Sequence, residues 1–271
     1  MKPVRIPDLL ERKTSGPKIT MLTAYDATMA RLLDLAGIDS ILVGDSLGMV
    51  VMGCETTIPV TLDAMVHHTR AVRNGARRAL VVADMPFLSY SVSVPDAVRN
   101  AGRLVQDGGA AAVKLEGGQA AAEAVLRLVE IGIPVMGHVG LTPQSVHKLG
   151  GFRRVGRTDR EIEQVIEDAR IIEQAGAFAV VVESVPSDVA RAITGALAVP
   201  TIGIGAGPHC DGQVLVSYDA FGLYDPVPPF VKRYADLAGT IAAATAEYIA
   251  DVREGRFPEV KPRAAAVREP E

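Results

Sequence analysis

The feature that most constrains the fold is one short pattern written five times, an apolar run that stops on a polar and mostly acidic side chain. Ser40-Ile-Leu-Val-Gly-Asp45 carries it first, then Ala79-Leu-Val-Val-Ala-Asp84 and Ala112-Val-Lys114-Leu-Glu116. Pro134-Val-Met-Gly-His138 and Ala179-Val-Val-Val-Glu183 repeat it. Runs this short, aliphatic and β-branched, read as strands buried on both faces, as in a parallel sheet. Ile19–Leu22, Pro200–Ile204 and Val214–Asp219 supply three more. Helices fill the intervals. Asp26 and Thr61 stand as N-caps, Ser93 precedes Pro95 and Asp96 in a first turn, and Ser187 caps a later helix. Thr158-x-x-Glu161 has the form of a capping box, and Ile162, Val165, Ile166, Ala169 and Ile172 follow it at helical spacing. Eight strands alternating with helices in 271 residues predict one (β/α)8 TIM barrel, a fold that typically takes about 250 residues.

A single catalytic domain over 1–257 is expected, with an N-terminal helical extension around Asp8–Lys13 and a long final helix marked by Tyr234, Ile241 and Tyr248. The Pro- and charge-rich tail, 258–271, reads as unstructured. Aromatic residues make up only 4% and there is no Trp, so Val, Ile, Leu and Ala must fill the core. A net charge of −4 offers no basic field for nucleic acid. No apolar run approaches the ~18–20 residues of a membrane span. The N-terminus, interrupted by Pro3 and Pro7, has no apolar signal core. Cys54 and Cys210 lack CxxC spacing and read as reduced thiols. The expectation is a cytoplasmic protein acting on small molecules, with no nucleic-acid or membrane partner.

Active sites of such barrels are built at the carboxyl ends of the strands. Asp45, Asp84 and Glu116 end three consecutive strands, and neighbouring strands lie about 4.8 Å apart, so one cation can be within reach of all three. Oxygen donors without nearby Cys favour Mg2+ over zinc. The plainer alternative is that each acid caps the helix after it. Lys114 lies two residues before Glu116, on the same side of a buried strand, and needs an anionic partner there. His138 is placed to hydrogen-bond a substrate. Glu183 ends a strand away from the acidic group; it reads as a desolvated general base or as half of a buried ion pair. The loop Leu47–Pro59 exceeds the usual 2–6 residues of a βα connection and reads as a lid. Gly203-Ile-Gly-Ala-Gly207 has a weak phosphate-cradle look without a basic partner, and no role is assigned to it or to Asp219.

Several ordered motifs carry a resemblance. Thr23-Ala-Tyr-Asp26, Val43-Gly-Asp-Ser-Leu-Gly48, Asp84-Met-Pro-Phe87, Val113-Lys-Leu-Glu-Gly117, Gly137-His-Val-Gly-Leu-Thr-Pro-Gln144, Ile202-Gly-Ile-Gly-Ala-Gly207 and Cys210-Asp-Gly-Gln213 together resemble the ketopantoate hydroxymethyltransferases, from about Ile19 to Phe257. The resemblance implies a barrel of the phosphoenolpyruvate/pyruvate type, Mg2+, 5,10-methylenetetrahydrofolate as one-carbon donor, 3-methyl-2-oxobutanoate as acceptor, an enolate intermediate and a homodecamer. It implies Asp45 and Asp84 as metal ligands, Glu116 as a third, water-mediated metal position, Ser46 and Lys114 as substrate contacts, and Glu183 as the base. Asp45, Asp84 and His138 would also meet the substrate. The rival within this class is a related Mg2+ barrel lyase or mutase acting on 2-oxo acids, for which a cysteine acid on the lid is expected; Cys54 is the only cysteine near that loop. The rival outside it is a catalytically silent barrel serving binding or assembly.

Overall fold

The computed structural model describes residues 2–259. The apolar runs form strands β1 Ile19–Thr23, β2 Ser40–Val43, β3 Leu80–Asp84, β4 Ala112–Glu116, β5 Val135–Gly140, β6 Ala179–Glu183, β7 Thr201–Ile204 and β8 Gly212–Leu215. Each pairs in parallel with the next, and β8 pairs with β1, so the sheet closes into an eight-stranded barrel. Helices α1 Ile6–Glu11, α2 Ala27–Ala36, α3 Leu47–Val50, α4 Leu62–Gly75, α5 Val94–Gln106, α6 Ala122–Glu130, α7 Val146–Leu149, α8 Asp159–Gln174, α9 Ser187–Ala196, α10 Ser217–Ala220 and α11 Leu237–Arg253 complete the described elements.

Side chains along a strand alternate between the barrel interior and the helix layer. The inward stripe is apolar at the amino ends and charged at the carboxyl ends. Leu80 and Val82 lead to Asp84, Ala112 leads to Lys114 and Glu116, Met136 to His138, and Ala179 and Val181 to Glu183. The apolar half packs into one buried cluster with Met21, Leu42, Ile202 and Val214, and Leu9 of α1 joins it from the N-terminal extension. One end of the barrel is thus sealed and the other is left polar.

Sequence boundaries shift in places for local reasons. The expected strand Val214–Asp219 splits, because Ser217 donates its N–H to Thr23 Oγ1 (3.0 Å) and the chain turns into α10 instead of continuing the ladder. Thr158 does cap α8, accepting the Glu161 N–H at 3.3 Å, but Glu161 accepts from Arg157 N–H (2.9 Å) and the box does not close on Thr158. Ser187 is the first residue of α9, with Pro186 at the cap position. The expected lid is partly helical, since α3 opens directly after Ser46.

The chain forms two compact units, the first ending at Ser217 and the second beginning at Tyr218, where one domain over 1–257 was expected. All eight strands lie in the first. In the second, Asp236 caps α11 through the Gly239 N–H (3.0 Å), and no residue of α11 is buried. Tyr224 donates its hydroxyl to Asp219, a structural tie for the acid left without a role. The expected tail lies outside the described residues beyond Glu259. Both cysteines are free, and among the described residues no helix is long and apolar enough to cross a membrane.

Candidate active site

Register brings the charged ends of β3 and β4 level. Asp84 sits opposite Lys114, and Lys114 Nζ lies 2.9 Å from Asp84 Oδ1 with both side chains buried. Lys114 Nζ also lies 3.1 Å from His138 Nδ1. Burial pulls the lysine toward neutrality, but Asp84, Glu116 and Asp45 outweigh it and hold its pKa above the ordinary value. An ammonium has three donors; one faces His138 Nδ1, and the Asp84 contact is an ion pair without an aligned hydrogen bond, so donor capacity remains for a ligand. Asp45 follows β2 and donates its backbone N–H to Asp84 Oδ2 at 3.0 Å. A Cβ at Gly44 would stand 2.7 Å from Ser46 Oγ, so glycine leaves that hydroxyl its place. Burial, and next the neighbouring Asp84 charge, push Asp45 up to about 7.

Glu116 is turned toward the protein. Its Oε2 accepts the backbone N–H of Gln144 (3.0 Å) and its Oε1 faces His138 Nδ1 at 3.6 Å. Burial, then Asp45, raise its pKa well above the glutamate range. Gln144 lies in a 3-10 turn, Pro143–Ser145, after β5, and its side-chain amide reaches Asp45 Oδ2 and Met85 O, both at 2.9 Å. Tyr90 OH is 2.9 Å from Gln144 Oε1 and accepts the Glu116 N–H at 3.3 Å, with Glu116 O at 3.1 Å as a second acceptor. Sequence reasoning missed both residues as parts of the site. The only available signal was the position of Gln144 inside the Gly137–Gln144 motif and of Tyr90 in the loop after β3.

His138 and Glu183 form the opposite side. Lys114 cannot accept a hydrogen bond, so Nδ1 must, and the neutral ring carries its proton on Nε2. That nitrogen lies 3.1 Å from Glu183 Oε2 without an aligned hydrogen bond between them. Burial, reinforced by Lys114, holds the His138 pKa well below its ordinary value, so the ring is neutral at pH 7. Among the described residues His138 is the only ion-pair contact of Glu183, and it is uncharged, which removes the buried ion-pair reading. Burial pushes Glu183 from 4.5 up to about 7, with Lys114 opposing.

A stability prediction follows from that shift. An acid whose folded pKa lies above its unfolded one gives stability that is full below the unfolded value and is lost as pH rises through the folded value. Melting temperature without ligand is therefore expected to fall between pH ~4.5 and ~7, with Glu183 responsible for about 3 kcal/mol at most. Glu183→Gln should flatten that fall in a calorimetric pH series, and an unchanged slope would contradict the assignment.

Ser46, half-buried at the start of α3, meets the buried Tyr25 hydroxyl at 2.9 Å, which fixes its Oγ at the mouth. Beyond it Met49, Val51 and Met52 are exposed apolar side chains. A loop that closes over a ligand would bury them. Limited proteolysis within Leu47–Pro59 is expected to slow when Mg2+ and 3-methyl-2-oxobutanoate are added; equal cleavage in both conditions would count against a lid. The Gly203–Gly207 loop gains no cradle role. A Cβ on Gly207 would stand 2.5 Å from Ser187 Oγ, so glycine there serves close packing on α9.

The site thus gathers Asp45, Ser46, Asp84, Lys114, Glu116, His138 and Glu183 on one barrel end, and comparison with known proteins gives it a context. Residues 3–260 match the family described as ketopantoate hydroxymethyltransferase. The chain belongs to the ketopantoate hydroxymethyltransferase family. It is 59% identical over 257 residues to the 3-methyl-2-oxobutanoate hydroxymethyltransferase of Moorella thermoacetica, covering 94% of this chain and 96% of that one. The protein of the same name from Syntrophus aciditrophicus is 58% identical over 248 residues, 91% of each chain. Among solved structures, phosphonopyruvate hydrolase in complex with oxalate and Mg2+ superposes with a TM-score of 0.61 at 14% identity, over 96% of this chain and 92% of that one. A 2,3-dimethylmalate lyase of the PEP mutase/isocitrate lyase superfamily gives 0.59 at 17% identity, over 96% and 91%. These two likenesses concern the fold alone, a closed parallel (β/α)8 barrel. The lyase or mutase rival shares the fold but not the family.

Within this ketopantoate hydroxymethyltransferase chain, the fit of a metal ion can be judged from its donors. Among the described residues no group of three His, Cys, Asp or Glu side chains is arranged to hold a metal, so Asp45, Asp84 and Glu116 form no ready three-ligand cage. Four carboxylates, those of Asp45, Asp84, Glu116 and Glu183, nevertheless surround one permanent cation, Lys114. Asp84 Oδ1 meets that lysine as an ion pair but has no aligned hydrogen bond. Burial presses Asp45, Glu116 and Glu183 toward protonation, and such hard oxygens suit Mg2+, which is commonly held by one or two carboxylates, with water and substrate completing its shell.

Proposed function

We propose that the chain transfers a one-carbon unit from 5,10-methylenetetrahydrofolate to C3 of 3-methyl-2-oxobutanoate, giving 2-dehydropantoate for pantothenate and coenzyme A synthesis. The observation that carries this reading is Glu183, a half-buried carboxylate with a proton affinity near neutrality, 3.1 Å from a neutral imidazole whose other nitrogen meets Lys114. Asp45 and Asp84 would hold Mg2+ directly, and Glu116 would hold it through water. When bound, Mg2+ supplies Lewis-acid polarisation of the 2-oxo group and acidifies the neighbouring C–H.

The remaining work falls to side chains. Lys114 directs its free N–H, and Ser46 its hydroxyl, to the substrate carboxylate. Glu183 takes the C3 proton. His138, uncharged, stands 3.1 Å from the Glu183 carboxylate and gives no positive charge that would lower its basicity. C3 then bonds to the methylene carbon, both bonds from that carbon to folate N5 and N10 break, and water provides the new hydroxyl. Water's remaining proton, together with the one taken by Glu183, goes to the two nitrogens of the released tetrahydrofolate. Activity on the acid side should rise with pH through about 7, as Glu183 loses its proton.

A folate-dependent hydroxymethylation assay with 3-methyl-2-oxobutanoate tests this directly. Formation of 2-dehydropantoate that depends on both Mg2+ and the folate supports it. Lyase products from a 2-oxo or phosphonate acid, or no turnover with the intact site, would contradict it.

A further inference from the structure

Gln144 holds a place in the site that the proposed chemistry has not used. It comes from the turn after β5, yet it binds elements of three other strands. Its Nε2 lies 2.9 Å from both Asp45 Oδ2, after β2, and Met85 O, after β3; its backbone N–H donates to Glu116 Oε2, on β4, at 3.0 Å. The amide is buried, 7% exposed, and its polar atoms are all satisfied, since Tyr90 OH lies 2.9 Å from Oε1. Orientation of the amide is forced. Two acceptors flank the nitrogen, so it must be the NH2 end, and a hydroxyl faces the oxygen. Flipping it would set Oε1 against a carboxylate and a carbonyl.

We infer that Gln144 is a positioning residue for the metal-binding carboxylates, and that Tyr90 acts through it. The amide occupies Asp45 Oδ2 and so fixes the plane of that carboxylate. It stabilises the ionised carboxylate by donating to it. The same residue's main chain fixes Glu116, so one rigid turn sets the spacing of two acids that belong to different strands. Partners that orient a ligating carboxylate typically matter about 10- to 100-fold in metal affinity or activity. This rests on the functional reading above, and in particular on Asp45 as an Mg2+ ligand.

The test is isothermal titration of Mg2+ into the full chain with saturating 3-methyl-2-oxobutanoate. Gln144→Met keeps side-chain volume and the backbone N–H but removes both donors; it should weaken Mg2+ by about 10- to 100-fold. Tyr90→Phe should fall at the low end, about 10-fold, and still decides the matter if the first variant does not fold. Because Tyr90 acts through Gln144, adding Tyr90→Phe to Gln144→Met should cost little more, a non-additivity that two independent structural defects would not show. Saturating Mg2+ should restore most of kcat in each variant. Unaltered Mg2+ affinity in both variants, with normal binding by the unaltered chain, would overturn this inference alone. No Mg2+ binding by the unaltered chain would overturn the functional reading and this inference with it.

Discussion

Asp84→Asn is expected to abolish Mg2+-dependent binding of 3-methyl-2-oxobutanoate and to lower stability, whereas Asp45→Asn should abolish the binding and leave stability intact or improved. Both residues end up at the catalytic edge of the barrel, where substitutions are ordinarily tolerated by the fold. Their partners differ. Asp84 is the close anion for a fully buried ammonium, Lys114, and also accepts the Asp45 N–H. Removing one partner of a buried pair costs up to about 3–5 kcal/mol, because the other charge stays behind. Asp45 sits in the opposite situation. Burial and the Asp84 charge already press it toward protonation. Asparagine at 45 relieves that repulsion, and its side-chain oxygen can still accept from Gln144. Thermal unfolding at pH ~8, above the Asp45 value, separates the two variants. Equal destabilisation, or retained Mg2+-dependent binding in either, would contradict the division of roles.

Most of the barrel was legible because its signal is local. A buried parallel strand announces itself as an apolar run, and the polar residue that ends it is a readable break in that run, so Asp84, Glu116, His138 and Glu183 could be picked out one at a time. Relations between strands were not legible. Nothing in Ala112–Glu116 says that Lys114 stands level with Asp84; this is a matter of register, set by pairing across the closed sheet. For the same reason the contacts of Glu116 with the Gln144 N–H and His138 Nδ1 could not be read, although its place beside the two aspartates could. Gln144 and Tyr90 sit in loops whose conformation no periodicity encodes. Strand β8 was misplaced because Val214–Asp219 looks like another apolar run with a terminal acid, and the hydrogen bond from Ser217 to Thr23 that ends it comes from a residue far away in the chain.

Glu183→Gln is expected to bind Mg2+ and 3-methyl-2-oxobutanoate nearly as well as the unaltered chain and to lose turnover by about 10²–10⁴-fold, the usual contribution of a general base, or roughly 3–5 kcal/mol of barrier. The substitution keeps shape and leaves an amide oxygen able to stand beside His138 Nε2, so the acidic pair and Lys114 are undisturbed. What it removes is the one carboxylate of the site that the Asp45–Asp84 pair does not need. The most direct measurement omits folate altogether: exchange of the C3 hydrogen of 3-methyl-2-oxobutanoate followed by NMR in D2O with Mg2+. The unaltered chain should exchange that hydrogen, and Glu183→Gln should not. Exchange by the variant at the unaltered rate would show that another residue takes the proton, with His138 the next candidate, and would contradict the assignment of Glu183 as the base.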